Sequence, residues 1–349
     1  MREVVVVSAA RTAVGKAKRG NLKDTRTDTM MGAALQEAVK RAGGFDPSLL
    51  DDVVVGTAFP EAEQGMNTGR IASFIAGFPN SVPALTVNRF CSSGLQSLAQ
   101  GAAAILAGWQ NLVITGGVES MTQIAMGGQK PSPNPELMAK NPIAYASMGL
   151  TSENVAERFD VSREAQDAFA LESHRRAVAA IEAGRFKDEI FPLATRVFRD
   201  DVWHDVVVDT DEGPRAGGTL EALAKLRPVF KVDGTTTAGN ASQVSDGAAA
   251  QVIASREYAE ANGLPILAVL RSYQVVGVDP DIMGVGPRYA IPKALEAAGM
   301  SIDDIEVFEI NEAFASQAVY CVRELALDPE KVNRNGGAIA LGHPLGCTG

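Results

Sequence analysis

Two distant stretches of this 349-residue chain carry one pattern in the same order. The first is Ala42-Gly43, then Ser48-Leu49-Leu50-Asp51-Asp52-Val53-Val54-Val55-Gly56-Thr57-Ala58-Phe59. The second is Ala298-Gly299, then Ser301-Ile302-Asp303-Asp304-Ile305-Glu306-Val307-Phe308-Glu309-Ile310-Asn311-Glu312-Ala313-Phe314. Further along, Val87-Asn88 before Cys91-Ser92-Ser93-Gly94 is echoed by Val332-Asn333 before Cys347-Thr348-Gly349. Chance similarity of short strings is the alternative. The shared order favours duplication of one structural unit, so the fold must accommodate that unit twice.

Alternating patterns around the first copy say what the unit is. Residues 3–8 read as a strand, 28–42 as a helix stopped by Gly43-Gly44, and 52–57 as a strand. A helix at 68–77, a strand at 84–88, a helix at 92–108 and a strand at 111–118 follow. This order predicts an α/β fold with a mainly parallel sheet covered by helices. From about 119 to 245 the texture changes. Met121 to Pro142 is rich in Gly, Pro, Met and Asn, Ser162 can cap an amphipathic helix running to Gly184, and Arg196 to Thr210 reads as a hairpin. This segment reads as an insertion packed on the main sheet. Core patterning returns at Ala248 to Ala254 and Leu267 to Val278.

The repeat also sets up an expectation about the C-terminus. After Cys91 the first copy continues with a helix and a strand, whereas after Cys347 two residues follow. A second unit without that helix and strand would leave apolar surface and strand edges uncovered. The sequence alone therefore predicts a C-terminally truncated chain of poor solubility.

Composition narrows the function. The net charge of −10, from 32 basic and 42 acidic residues, gives nucleic-acid binding no general electrostatic help. Three cysteines, Cys91, Cys321 and Cys347, are no disulfide framework, and with three scattered histidines no metal site is expected. The apolar run at Val4 to Val7 is too short to span a membrane, so a cytoplasmic location is expected.

Cys91 lies where a strand gives way to a helix. A thiol at a helix N-terminus meets the positive end of the helix dipole and free N–H groups, which favour the nucleophilic thiolate. A buried structural cysteine is the alternative reading. His343 sits in a glycine-flanked loop before Pro344 and could serve as a base near neutral pH. Asn311 follows a strand at its C-terminal end, where ligands of open α/β sheets gather. His174 and His204 read as ordinary packing or surface residues.

Taken together, Asn88-Arg89-Phe90-Cys91-Ser92-Ser93-Gly94, Asn311-Glu312-Ala313-Phe314 and Gly336-Gly337-Ala338-Ile339-Ala340-Leu341-Gly342-His343-Pro344-Leu345-Gly346 resemble the thiolase family. Gly116-Gly117-Val118-Glu119-Ser120-Met121 and Ala238-Gly239-Asn240-Ala241-Ser242 belong to the same co-linear set. Met148 to Phe159 and Ser242 to Gly247 look most similar to the 3-ketoacyl-CoA thiolases of fatty-acid β-oxidation.

The resemblance implies duplicated, layered α/β halves with an inserted loop domain. Residues 1–272 would form the N-terminal half, with the CoA-binding insertion at about 119–245, and 273–349 an incomplete C-terminal half. It implies that Cys91 attacks the keto carbon of a 3-ketoacyl-CoA and is left as an acyl-thioester, which free CoA then accepts. His343 would activate Cys91, and Asn311 would hold a water that completes an oxyanion hole with His343. Arg215 would lie near the adenosine end of CoA, Phe230 against the adenine and Ser242 near the pantetheine. Met148, Ala313 and Phe314 would line the acyl pocket. CoA would be a co-substrate, with no permanently bound cofactor. A homodimer or homotetramer, and a β-oxidation enzyme as a partner, are implied in the same way.

Two departures from the family pattern stand out. Many acetoacetyl-CoA thiolases place a histidine where this chain has Ser147, which argues against strict acetoacetyl specificity. The family also supplies a second catalytic cysteine from a Cys-x-Gly loop beyond the residue matched by Cys347, and Cys347 itself does not match it. Impaired activity is the resulting expectation. The competing readings are a biosynthetic acetoacetyl-CoA thiolase and a non-catalytic CoA-binding subunit. Cys321, on the helix after Asn311, reads as packing.

Overall fold

The computed structural model describes residues 2–348. Strand β1 (Val4–Arg11) is followed by the short β2 (Gly15–Lys16) and helix α1 (Thr27–Arg41). Met30, Met31, Ala34, Leu35 and Ala38 of α1 recur at helical spacing, and all are fully buried against the sheet. Then come β3 (Asp52–Gly56), α2 (Thr68–Ile75), β4 (Ala84–Val87), α3 (Ser93–Leu106) and β5 (Leu112–Ser120). The alternation predicted from sequence is present, with ends displaced by at most three residues.

The sheet is mixed rather than mainly parallel. With β8 at Ser245–Ser255 and β9 at Ala268–Leu270, its order is β4-β3-β5-β8-β1-β9, and β2 pairs with β8. β3 runs parallel to β4 and β5, whereas β8 (Ser245–Ser255) runs antiparallel to both β5 and β1. The physical reason is connection length. Helices α2 and α3 are the crossovers that parallel neighbours require. β8 returns from a long excursion that imposes no direction. Of the core-patterned segment Leu267 to Val278, only β9 (Ala268–Leu270, after helix α8, Arg256–Ala261) forms a strand, antiparallel to β1.

The excursion holds α4 (Pro135–Lys140), α5 (Met148–Arg158), α6 (Arg163–Glu182), the hairpin β6 (Leu193–Arg199) and β7 (Val202–Val208), and α7 (Leu220–Ala224). Asp200 and Asp201 make the hairpin turn with φ of 51° and 61°, a pair that matches the twist of the strands. Phe186, Ile190, Phe191, Leu193 and Val208 join the main core, as the insertion reading requires. Helices α5 and α6 instead pack on the second half, which contains α9 (Gly286–Ala298), α10 (Ala315–Glu324) and α11 (Ala338–Leu341). Ala170 of α6 meets Ala315 and Ile339 there.

The second copy keeps the crossover but builds no sheet of its own among the described residues. Phe308 bridges Val332 in parallel, its N–H donating to Lys331 O at 2.8 Å. In the first copy Val53 N–H donates to Pro83 O at 3.1 Å. Beyond that bridge the Asn333 side chain replaces a strand. Ile310 N–H donates to Asn333 Oδ1 and Asn333 Nδ2 donates to Ile310 O, both at 2.8 Å. An amide side chain thus satisfies the two backbone groups that a ladder would have paired.

Candidate active site

Cys91 sits in a single tight turn, Phe90–Ser92, between β4 and α3. Phe90 adopts φ 44°, a left-handed conformation that costs a non-glycine residue about 1–2 kcal/mol. Ser93 holds the turn: its Oγ accepts from Arg89 N–H at 2.9 Å and donates to Phe90 O at 2.7 Å. Asn88 adds a second tie. Its Oδ1 accepts from Phe90 N–H at 2.8 Å and its Nδ2 donates to Ala58 O at 2.9 Å. Gly56 is required here, because a Cβ at that position would overlap the backbone of Ser93.

The Cys91 thiol departs from the sequence expectation. Burial pushes its pKa from the ordinary 9.0 to about 11, and the adjacent Glu119 adds to the rise. Helix-terminus stabilisation is worth about 0.3–1 kcal/mol. Each pKa step is worth ~1.4 kcal/mol, so desolvation outweighs the dipole and the resting residue is a thiol. The sulfur packs beside a buried cluster of Ala17, Ala58, Met121 and Leu345.

His343 reaches the site from the second half. Its backbone N–H donates to Gln243 O at 3.1 Å, and it bridges Val244, the residue before β8. The ring is buried, and desolvation brings its pKa down to about 4. Asn311 Nδ2 lies 3.3 Å from His343 Nε2, and His343 Nδ1 lies 2.7 Å from Thr348 Oγ1. With Asn311 donating to Nε2, the ring proton resides on Nδ1 and is donated to Thr348, whose Oγ1 donates to Pro344 O at 3.0 Å. Nε2 is then the basic nitrogen. Asn311 Oδ1 is buried without a hydrogen-bond partner among the described residues, which leaves an acceptor for a water or ligand.

One cavity of about 290 Å³ collects these groups. Cys91, Asn311 and His343 line it together with Met148, Phe230, Ser242, Ala313 and Phe314. Ser242 N–H donates to Ala313 O at 2.9 Å, and the Phe230 and Phe314 rings meet edge to face at 6.0 Å. A methyl on Gly149 would overlap the Phe230 ring, so this wall needs a glycine at the start of α5. Arg215 does not line the cavity. It is exposed, and its backbone N–H donates to His174 Nδ1 at 3.2 Å. His174 is half-buried, and burial together with Arg215 and Lys16 lowers its pKa to about 4. Cys321 is buried in an apolar cluster with Val155, Ile282 and Tyr320. Cys347 lies outside the cavity, with its pKa pushed up to about 12 by burial.

Sequence reasoning assigned no role to two buried carboxylates. Glu312 accepts from Ser173 Oγ at 2.6 Å, Asn333 Nδ2 at 2.8 Å and Ile339 N–H at 3.1 Å, and so anchors the loop that leads to His343. Glu119, next to last in β5, accepts from Ala58 N–H and Gly346 N–H, both at 2.8 Å. An acid inside an otherwise apolar strand was the available signal, since a buried charge must find partners.

Family comparison settles the framework. The profile described as thiolase, N-terminal domain matches residues 4–257, and that described as thiolase, C-terminal domain matches 264–349. The chain belongs to the thiolase family. Both thiolase domains are matched, and the expected truncation and impaired activity gain no support from these matches. Among thiolase relatives, the 3-ketoacyl-CoA thiolase of Bacillus subtilis (strain 168) is 52% identical over 354 residues, covering all of this chain and 90% of its own. The peroxisomal 3-ketoacyl-CoA thiolase of Homo sapiens is 52% identical over 350 residues, covering 99% and 82%. The crystal structure of the Bacillus anthracis acetyl-CoA acetyltransferase superposes with a TM-score of 0.89 at 42% identity, covering 100% and 89%. Each of the two matched domains contains one copy of the sequence repeat.

Proposed function

We propose that this thiolase cleaves 3-ketoacyl-CoA with CoA, giving acetyl-CoA and an acyl-CoA shorter by two carbons. The observation that carries the reading is the single cavity lined by Cys91, His343 and Asn311. The resting pair is a neutral thiol and a neutral imidazole. His343 Nε2 takes the thiol proton as sulfur bonds to the keto carbon. The C2–C3 bond breaks, its electron pair leaves as the enolate of acetyl-CoA, and that enolate takes the proton that His343 carries. Cys91 is left as a thioester, which the thiol of a second CoA attacks, returning the cysteine. A water on Asn311 Oδ1 and the Nε2–H of protonated His343 stabilise the charged oxygen. The thioester is a suitable intermediate because thiol-to-thiol transfer is nearly thermoneutral.

Met148, Ala313 and Phe314 serve as the acyl wall, Ser242 as the pantetheine contact and Phe230 as the adenine contact. Arg215, outside the cavity, serves the adenosine end. Ser147, a cavity-lining residue that caps α5, leaves room where an acetoacetyl-selective enzyme would carry an imidazole. The name of the Bacillus anthracis neighbour keeps the acetoacetyl reading as the second one. Turnover of acetoacetyl-CoA beside a long-chain 3-ketoacyl-CoA separates them: use of the short substrate alone overturns our choice. Mass spectrometry after substrate addition should place the acyl group on Cys91.

The division into 1–272, with its CoA-binding insertion at about 119–245, and 273–349 is part of the same proposal. So are a homodimer or homotetramer, a β-oxidation enzyme partner and a cytoplasmic location. Edge strand β4 and the exposed Phe74 and Ile75 of α2 offer a surface for self-association. No helix among the described residues is long and apolar enough to cross a membrane.

A further inference from the structure

We propose that Glu119 is a positioning residue that clamps the nucleophile's floor to the base's loop. A continuous hydrogen-bonded path supports this. Phe90 N–H donates to Asn88 Oδ1, Asn88 Nδ2 to Ala58 O, and Ala58 N–H to Glu119 Oε2. The same Oε2 accepts Gly346 N–H, three residues beyond His343. The other oxygen accepts from Phe59 N–H at 3.3 Å and from Gln64 Nε2. Ala58 and Leu345, which flank Cys91, are thus held through one carboxylate from both copies of the repeat. Glycines permit the approach: a Cβ on Gly117 would overlap Gly346 O, and one on Gly346 would come 2.5 Å from Thr57 Cα.

Glu119 is fully buried, and no Lys or Arg pairs with it among the described residues. Burial pushes its carboxyl up from the ordinary range, and backbone N–H groups, Gln64 and the Thr57 hydroxyl at 3.5 Å hold its charge before substrate arrives. The titratable groups facing it are Cys91 from the turn and Cys347 from the loop after His343, and its charge opposes ionisation of both. Burial keeps Cys91 a thiol until His343 takes the proton, Glu119 adds to that effect, and the same carboxylate ties the two loops together.

This inference rests on Cys91 being the acylated residue, so wild-type protein treated with 3-ketoacyl-CoA is mapped first. An acyl group on another residue overturns the functional reading rather than the role of Glu119. Glu119→Gln keeps shape and removes charge. It should lower kcat by tenfold or more, leave KM within about twofold, and shift the pH midpoint for iodoacetamide alkylation of Cys91 downwards. Glu119→Asp keeps the charge but shortens the reach by one methylene. It should lower kcat while leaving the alkylation midpoint near wild type, and it is the deciding variant if Glu119→Gln does not fold. Unchanged kcat in folded Glu119→Gln, or full activity in Glu119→Asp, overturns the proposal. An unmoved alkylation midpoint in Glu119→Gln does so too.

Discussion

His343 Nε2 lies 3.3 Å from Asn311 Nδ2, a contact made across 32 residues of the second copy. It joins the end of the 305–310 segment to the glycine loop, and it leaves Nδ1 to bind Thr348. The imidazole is consequently held at both nitrogens before any substrate binds. A base fixed in this way loses little freedom when the proton moves.

Replacing His343 tests both catalysis and stability. His343→Asn should lower kcat by roughly 10²–10⁴-fold, the usual worth of a positioned base. It should also alter acid stability. With a folded pKa near 4 against the ordinary 6.5, the unfolded chain binds the proton between these values and the folded chain does not. Stability from this group is complete above about pH 6.5 and is lost as pH falls towards 4, by roughly 3 kcal/mol. Urea unfolding at about pH 7.5 and about pH 4.5 should show a shallower acid loss in His343→Asn. His174, also near 4, contributes equally to both proteins. Identical losses would refute the assignment.

Alkylation reads the state of Cys91 directly. A thiol raised to about 11 should react with iodoacetamide slowly at neutral pH and about tenfold faster for each unit of pH up to about 10. Peptide mapping should find Cys91 labelled before the buried Cys321. A rate that levels off near pH 8 would mean a thiolate at rest.

Glu312→Ala should destabilise the fold by roughly 3 kcal/mol. It strands Ser173 Oγ, Asn333 Nδ2 and Ile339 N–H in a buried setting, at about 1–3 kcal/mol for each unsatisfied group before relaxation. Denaturant midpoints compared at constant slope measure it, and a shift below about 1 kcal/mol would contradict the anchoring role.

Gly149→Ala should push Phe230 off the cavity wall. Because Phe230 is partly exposed and its ring can rotate, the expected result is a several-fold rise in KM for acyl-CoA with kcat nearly kept. Steady-state kinetics on one substrate decide it. An unchanged KM would place CoA elsewhere.

The legible parts of the site were those with local grammar. Cys91 before a helix, His343 among glycines and Asn311 after an apolar run each announced themselves by residue type and setting, and the cavity brings all three together. Arg215 had only a motif match, and it lies outside that cavity. Glu119 and Glu312 were passed over because a hydrogen-bond hub leaves no periodic trace. Their partners lie at separations of 61 and 227 residues for Glu119, and of 21, 27 and 139 for Glu312.

The amino-acid order by itself determined the repeat, the strand-and-helix alternation of the first unit and the identity of the reactive side chains. These follow from periodicity and residue chemistry, which act over a few neighbours. Only the tertiary structure decided that β8 runs antiparallel and that Asn333 stands in for a strand. It also decided that Cys91 rests as a thiol. Each of these depends on desolvation or on a partner remote in sequence, and such terms exist only once the chain has folded around them.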